Sequence, residues 1–201
     1  LEPLAVASNV TQGSDTRLDH VLLTLGQLHK VYSGPDIEER VRDKVLESLE
    51  RRWKAADQDV FILAIFLNPY IRHHVFNKHA LTVGQLIDMA RYAFKRFFKV
   101  DATAAFTVGL IDYANGKSEF SASSMLLDDI RTQAVRENKA SIFPADIQPL
   151  CANMCLTARV AQLALRLFSV VANSGDCERT FSTFGTIVTK CRVHLAPKKV
   201  H

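Results

Sequence analysis

Apolar side chains recur every three or four residues along several segments of this 201-residue chain, and this period constrains the fold most strongly. The clearest case is a segment in which every fourth residue is apolar, namely Ile37, Val41, Val45, Leu49 and Trp53. This spacing places the apolar side chains on one face of a helix, facing the core, with Arg, Lys and Glu on the other face. No segment has an alternating pattern that would support a strand. The sequence therefore predicts an all-α fold.

Residues that begin and end helices divide the chain into eight predicted helices. Gly34–Pro35 should end the first predicted helix, and Asp36 can cap the helix that follows. Residues 59–67 are apolar all round, which favours a buried helix over a strand. The predicted helices cover 18–31, 36–53, 59–67, 82–99, 101–115, about 123–138, 156–170 and about 173–192, with caps at Thr82, Asp101, Ser123 or Ser124, and Asn173 or Ser174, and a stop at Asn115–Gly116.

The composition is that of a globular protein, with 48% hydrophobic and 23% charged residues. The length allows one large domain or two small ones. The longest apolar run, Val60 to Leu67, is far below the roughly 20 residues that cross a bilayer, so no membrane partner is expected. The cysteines have no disulfide framework spacing, which favours free thiols in a reducing compartment; they are Cys151, Cys155, Cys177 and Cys191.

The positive charge of the chain is concentrated after residue 178. The whole chain has 25 Lys and Arg against 21 Asp and Glu, and the segment from Arg179 to His201 has five of the basic residues and none of the acidic ones. The rest of the chain is therefore close to neutral. Such a tail favours a phosphate-bearing partner, and its DNA-contact candidates are Arg179, Lys190, Arg192, Lys198 and Lys199. For Arg179, pairing with Glu178 or an ordinary surface role stays open.

Glu178 lies in the first turn of the last predicted helix. Ser182, Gly185 and Thr189 share a face of small and polar groups with it. Small residues let another group approach closely, so Glu178 is free to point into a cleft. The helix dipole also favours a glutamate in the first turn, so the alternative that Glu178 only stabilises its helix stays open.

The segment from Ser174 to Leu195 resembles the C-terminal region of hAT-superfamily DNA transposases. The family pattern reads Ser-small-x-x-Glu-Arg-x-Phe-Ser, then Gly, an aliphatic pair, Thr-Lys, Arg and Leu. This chain matches it at Ser174, Glu178, Arg179, Phe181, Ser182, Gly185, Ile187, Val188, Thr189, Lys190, Arg192 and Leu195. The apolar run 61–70, which ends in Asn68–Pro69, and the segment 163–169 also look like the family, and the layout is most similar to its fungal branch.

The resemblance implies a fragment of an RNase H-like transposase whose catalytic core is interrupted by a helical insertion domain. Residues 1–143 would be the end of the insertion domain. Residues 144–201 would be the C-terminal dimerisation region, carrying the last helix of the core. Glu178 matches the third acid of an Asp-Asp-Glu triad that holds Mg²⁺ or Mn²⁺, and the two Asp residues would precede Leu1.

The same resemblance implies that the intact protein cleaves DNA and transfers strands in the nucleus, with DNA and a second copy of itself as partners. The fragment alone is expected to be inactive and to bind no metal tightly. Two alternatives remain. One is a catalytically inactive, transposon-derived module for dimerisation and DNA association, and the other is a generic helical scaffold.

Four local patterns have competing interpretations. For Arg52–Trp53, core packing of the tryptophan is favoured over stacking on a base. His73, His74 and His79 together with the cysteines suggest zinc only superficially, because Cys151-x3-Cys155 has the spacing of a helix and lacks a second matched pair. The basic strip opposite the phenylalanine face of helix 82–99 is a solvated face by default, with DNA contact as the alternative; it comprises Arg91, Lys95, Arg96 and Lys99. The apolar face of helix 156–170 can pair with the last helix or bind a partner chain.

Overall fold

The computed structural model describes residues 2–13, 16–136, 159–170 and 172, and this part of the chain contains eight α-helices and no strand. The all-α prediction is confirmed for these residues, whereas the predicted helix 173–192 lies outside them. The helices are α1 Glu2–Thr11, α2 Leu18–Tyr32, α3 Glu39–Ala55, α4 Gln58–Phe66, α5 Val83–Phe98, α6 Ala104–Asn115, α7 Leu127–Arg136 and α8 Arg159–Phe168, with a 3-10 turn at Ser118–Phe120.

Helix α4 lies at the centre of the fold and contacts α2, α5 and α8. Four consecutive side chains at its end, Leu63 to Phe66, are buried. A helix exposes some side chains unless neighbours cover every side, and α4 is covered on several sides. The predicted buried helix at this position is therefore confirmed.

Helices α5, α6 and α8 complete the main core. The predicted apolar face of α5 is confirmed, since Leu86, Ala90 and Phe94 are buried. The helix begins at a capping box in which the Thr82 hydroxyl accepts a hydrogen bond from the Gln85 amide and the Gln85 side chain accepts one from Thr82. Local chemistry and packing thus agree along α5.

The inner face of α8 is part of this core. Val160, Leu163, Ala164 and Leu167 are buried, and the helix contacts α4, α5 and α6. The sequence left open whether the apolar face of this helix packs within the chain or binds a partner chain. In the structure, α4, α5 and α6 of the same chain cover it. The core joins residues from both sides of the predicted boundary at 143, and that boundary remains a prediction.

The apolar stripe of helix α3 faces a small apolar cluster, although none of the residues of the helix is fully buried. Its apolar stripe packs against α2 and the small cluster around Leu28 and Tyr32, and its side chains are only partly covered. Val41 remains 43% exposed. The prediction that this stripe faces a core is therefore confirmed in direction, and the burial is only partial, since α3 lies at the periphery.

Trp53 at the end of α3 is half-buried. Its ring meets that of Phe61 edge to face, with centroids 6.1 Å apart, whereas Arg52 is exposed. This geometry supports the packing interpretation of Trp53 over the base-stacking one.

Three helices begin later than predicted, each for a local reason. Asp36 lies in a turn in which the Ile37 amide donates to the Gly34 carbonyl, and α3 starts after Glu38. Asp101 pairs with Lys95 at 2.7 Å, while Thr103 caps α6. The third case is α7, which starts at Leu127 because Leu126 has a φ of 52° that interrupts a helical path from Ser123.

Candidate functional site

The residues that the sequence predicts for the catalytic and DNA-binding site lie outside the described part of the chain. They are Glu178, Arg179, Lys190, Arg192, Lys198 and Lys199. The described helix that comes before them in the sequence is α8, which ends at Phe168. The Phe168 ring lies under the Arg17 guanidinium at 5.6 Å, so α8 ends beside a cluster of buried polar groups.

This buried polar cluster consists of Arg17, Asp19 and Asn68. Asp19 is fully buried, and its two carboxylate oxygens each accept a hydrogen bond from the Arg17 guanidinium at 3.0 Å. The Asn68 side-chain amide donates to the same carboxylate at 2.9 Å. A buried charge is tolerated when it is paired and hydrogen-bonded. The cluster therefore joins the start of α2 to the end of α4 through the Oδ2 atom of Asp19, while its Oδ1 atom is held by Arg17.

His20 borders the cluster, with its Nε2 atom 3.0 Å from Nη2 of Arg17. Burial lowers the pKa of His20; the charge of Asp19 opposes this effect and that of Arg17 adds to it. The unfolded chain therefore binds a proton at His20 more readily than the folded chain does. The contribution of His20 to stability is present above about pH 6.5, the ordinary value, and is lost as the pH falls from there toward the lowered pKa of the folded state.

We expect the free energy of unfolding of His20→Gln to depend less on pH than that of the wild type between about pH 6.5 and pH 5. Glutamine keeps a polar side chain at the position without a proton to gain. Urea unfolding at a series of pH values measures this. Parallel curves for the two proteins over this range would contradict the assignment.

The second polar feature is the α4–α5 loop, residues 67–82, which is held by hydrogen bonds throughout. At its start the Asn68 side chain accepts from the Tyr70 amide at 3.1 Å, and the Asn68 carbonyl accepts from the Arg72 amide at 2.8 Å. At its end the Asn77 side chain accepts from the His79 amide at 3.0 Å, and its carbonyl accepts from the Leu81 amide at 2.9 Å. These are turns of the kind that asparagine favours.

Arg72 anchors this loop to the interior. It is only 8% exposed and has a positive φ of 55°. Its guanidinium donates to the Phe120 carbonyl at 2.5 Å and lies 5.1 Å from the centre of the Tyr113 ring. A side chain at Gly116 would bring a carbon within 2.5 Å of Nη1 of Arg72. The glycine is therefore required both for its own φ of 62° and for the approach of the arginine.

The loop presents basic groups without acidic neighbours in the sequence. His74, Lys78 and His79 are exposed, and no acidic residue occurs between Asp59 and Asp88. The rings of His73 and His74 lie against each other, with centroids 4.4 Å apart and planes tilted by 39°. Burial, then the charges of His74, Lys78 and Arg72, lower the pKa of His73. The named electrostatic neighbours of His73 are therefore all cationic groups or a second histidine.

The basic strip on α5 has a different environment. Arg91 pairs with Asp88 at 3.5 Å, Lys95 with Asp101 at 2.7 Å, and Arg96 with Asp57. Three of the four cations predicted there thus have a carboxylate partner, which favours the interpretation of a solvated helix face. The charge of the α4–α5 loop is the feature that sequence reasoning missed, because the histidines were weighed only as zinc ligands. The acid-free run between Asp59 and Asp88 was the available signal.

A cavity of about 260 Å³ lies between α6, the 3-10 turn and the start of α8. Its polar lining includes Thr103, Glu119 and Arg159. The Thr103 hydroxyl already accepts the Phe106 amide as the cap of α6, and the Arg159 guanidinium lies 5.8 Å over the Phe94 ring. Within the described lining, this set brings no nucleophile next to a base.

Within the described ranges, no three His, Cys, Asp or Glu side chains are gathered closely enough to hold a metal ion. In the same ranges, no helix has the length and apolar character needed to span a bilayer. Comparison of the chain with models of protein families, with curated protein sequences and with solved structures finds no match.

Proposed function

We propose that this chain is part of a hAT-type DNA transposase and contributes the third catalytic acid, Glu178, together with a region for self-association. The observation that carries the proposal is the motif from Ser174 to Leu195, in which a dozen residues match the family pattern at fixed spacing. The all-helical character of the described residues is compatible with an insertion domain of helices. The RNase H-like core, the two domains and the fungal placement are parts of the same proposal.

The chemistry expected of the motif follows from its residue types. A carboxylate beside a face of small side chains can approach a phosphodiester, and the basic tail after it can hold the DNA backbone. When a complete triad binds Mg²⁺ or Mn²⁺, the metal activates water or a 3′-hydroxyl and stabilises the leaving oxygen. Glu178 supplies only one carboxylate of such a set. The 201-residue chain alone is therefore expected to have no nuclease activity.

In the intact protein, Glu178→Gln is expected to lower DNA cleavage by about 1,000-fold or more while leaving DNA binding unchanged. Glutamine has nearly the same shape and lacks the negative charge that a divalent metal requires. Glu47→Gln, at an exposed position on α3, makes the same chemical change away from the motif and should cut at the wild-type rate.

Cleavage of a transposon-end duplex, measured beside a binding titration, separates these outcomes. A Glu178→Gln protein that still cuts at the wild-type rate would show that Glu178 is not the catalytic acid. Metal-dependent nicking by the 201-residue chain would contradict the expectation that it is inactive alone.

A further inference from the structure

We infer that the α4–α5 loop is a docking site for the phosphate backbone of a nucleic-acid duplex, separate from the tail that follows Glu178. The inference goes beyond the proposed function, since no residue of the transposase motif lies in this loop. It rests on the proposed function in one respect, namely that the negatively charged partner of the loop is taken to be a nucleic acid. The argument begins with the construction of the loop.

The loop is preorganised. Its two ends are fixed by Asn68 and Asn77, whose side chains and carbonyls accept backbone hydrogen bonds. Its middle is fixed by buried Arg72, which donates to the Phe120 carbonyl. A surface held in one conformation loses little conformational entropy on binding. The exposed groups between these anchors are therefore presented without the cost of ordering the backbone.

The charge of the loop is uncompensated in a way that the charge of α5 is not. Lys78 has no carboxylate partner among the described residues, whereas Lys95 has Asp101 at 2.7 Å. The formal positive charge of this stretch lies at Arg72, which is buried, and at Lys78, which is exposed. A polyanion brought there gains attraction without first displacing an acid.

The residue types suit phosphate oxygens in particular. The Lys78 ammonium offers three N–H donors, and each exposed imidazole, His74 and His79, can donate through a ring nitrogen. Phosphate oxygens accept such bonds, and contacts of this kind position a duplex without reading its sequence. The His74 ring lies against the half-buried His73 ring, tilted by 39° from it. The loop therefore fits a repeating row of phosphates rather than one deep-bound anion.

The test compares two lysines of equal charge in the full 201-residue chain, using a 20-base-pair duplex of arbitrary sequence. Lys78→Ala is expected to weaken binding about three- to tenfold at low salt. The slope of log affinity against log salt should become shallower by about 1, as for the loss of one phosphate contact. Lys95→Ala removes the same charge from a paired site and should change affinity by less than about twofold.

Imidazole NMR signals provide a readout that a structural role would not move. Addition of duplex should shift the signals of His74 and His79 in the wild-type chain. Both side chains, like Lys78, are exposed, so thermal unfolding of the variants should match that of the wild type. Lys198→Ala combined with Lys199→Ala removes charge from the tail, and the imidazole shifts should survive it.

Equal effects of Lys78→Ala and Lys95→Ala would overturn the inference, because net charge alone would then explain binding. Binding that depends on the tail lysines and leaves the imidazole signals unmoved would do the same. The inference would also be overturned if a poly-glutamate peptide produced the same imidazole shifts at the same charge concentration, since the partner would then be an acidic protein. None of these results bears on whether Glu178→Gln abolishes cleavage, so the two proposals fail separately.

Discussion

Replacing Asp19 with alanine is expected to destabilise the folded chain by about 3 to 5 kcal/mol. Asp19 is fully buried, and its carboxylate accepts hydrogen bonds from Arg17 and Asn68. Its removal leaves Arg17, a residue that is only 8% exposed, without the carboxylate that it pairs with. The intact pair itself contributes less than this to the free energy of unfolding, since both charges lost their hydration on folding. The large effect comes from the charge left behind.

The matched control is Asp88→Ala. Asp88 also pairs with an arginine, Arg91, but its side chain is 76% exposed. Exposed pairs of this kind contribute little, so a change within about 0.5 kcal/mol is expected. Urea unfolding of both variants at pH 7 measures the difference. Similar losses in the two would mean that burial does not set the importance of Asp19.

Replacing Leu163 with alanine is expected to cost about 2 to 5 kcal/mol of unfolding free energy without changing the mass of the folded protein in solution. Leu163 is fully buried on the inner face of α8, which packs on α4, α5 and α6. Deleting its branched end leaves a cavity that close-packed neighbours fill only in part. The loss therefore falls on folding within one chain.

Val108→Ala provides the contrast, since Val108 lies on α6 and is 56% exposed. Its unfolding free energy should change by less than about 1 kcal/mol. Urea unfolding combined with light scattering distinguishes the alternatives for α8. If Leu163→Ala dissociated an oligomer and left the unfolding of each chain unaltered, this face would belong to a subunit interface, and the packing described above would be wrong.

Several elements could be predicted because their causes are local. Thr82 and Gln85 lie three residues apart and form the capping box that begins α5. Gly116 follows α6 in the left-handed conformation that a glycine readily adopts. The apolar run of α4 indicated a buried helix, and its last residues are buried. In each case the responsible residues are close together in the chain.

Other features could not be predicted, since they depend on what lies opposite a helix. The four-residue stripe of α3 is as regular as that of a core helix, yet α3 packs on α2 and the small cluster around Leu28 and Tyr32, and reaches α4 through Trp53 at its end. Helix α1 was not predicted, because its apolar residues form no clear stripe, and Val6 and Val10 remain exposed. It is placed by its contact with α2. Periodicity identifies a face that can be buried, and tertiary packing decides how far it is buried.

The candidate sites divide along the same line. The sequence by itself determined the helical class and singled out Glu178 and the basic tail, because a motif and a charge count need no coordinates. The latter two remain predictions, as they lie outside the described residues. Only the tertiary structure brought Asp19 to Asn68, which is 49 residues away, and Arg72 to the Phe120 carbonyl, which is 48 residues away. Such groups meet because helices pack, and their spacing along the chain does not encode the contact.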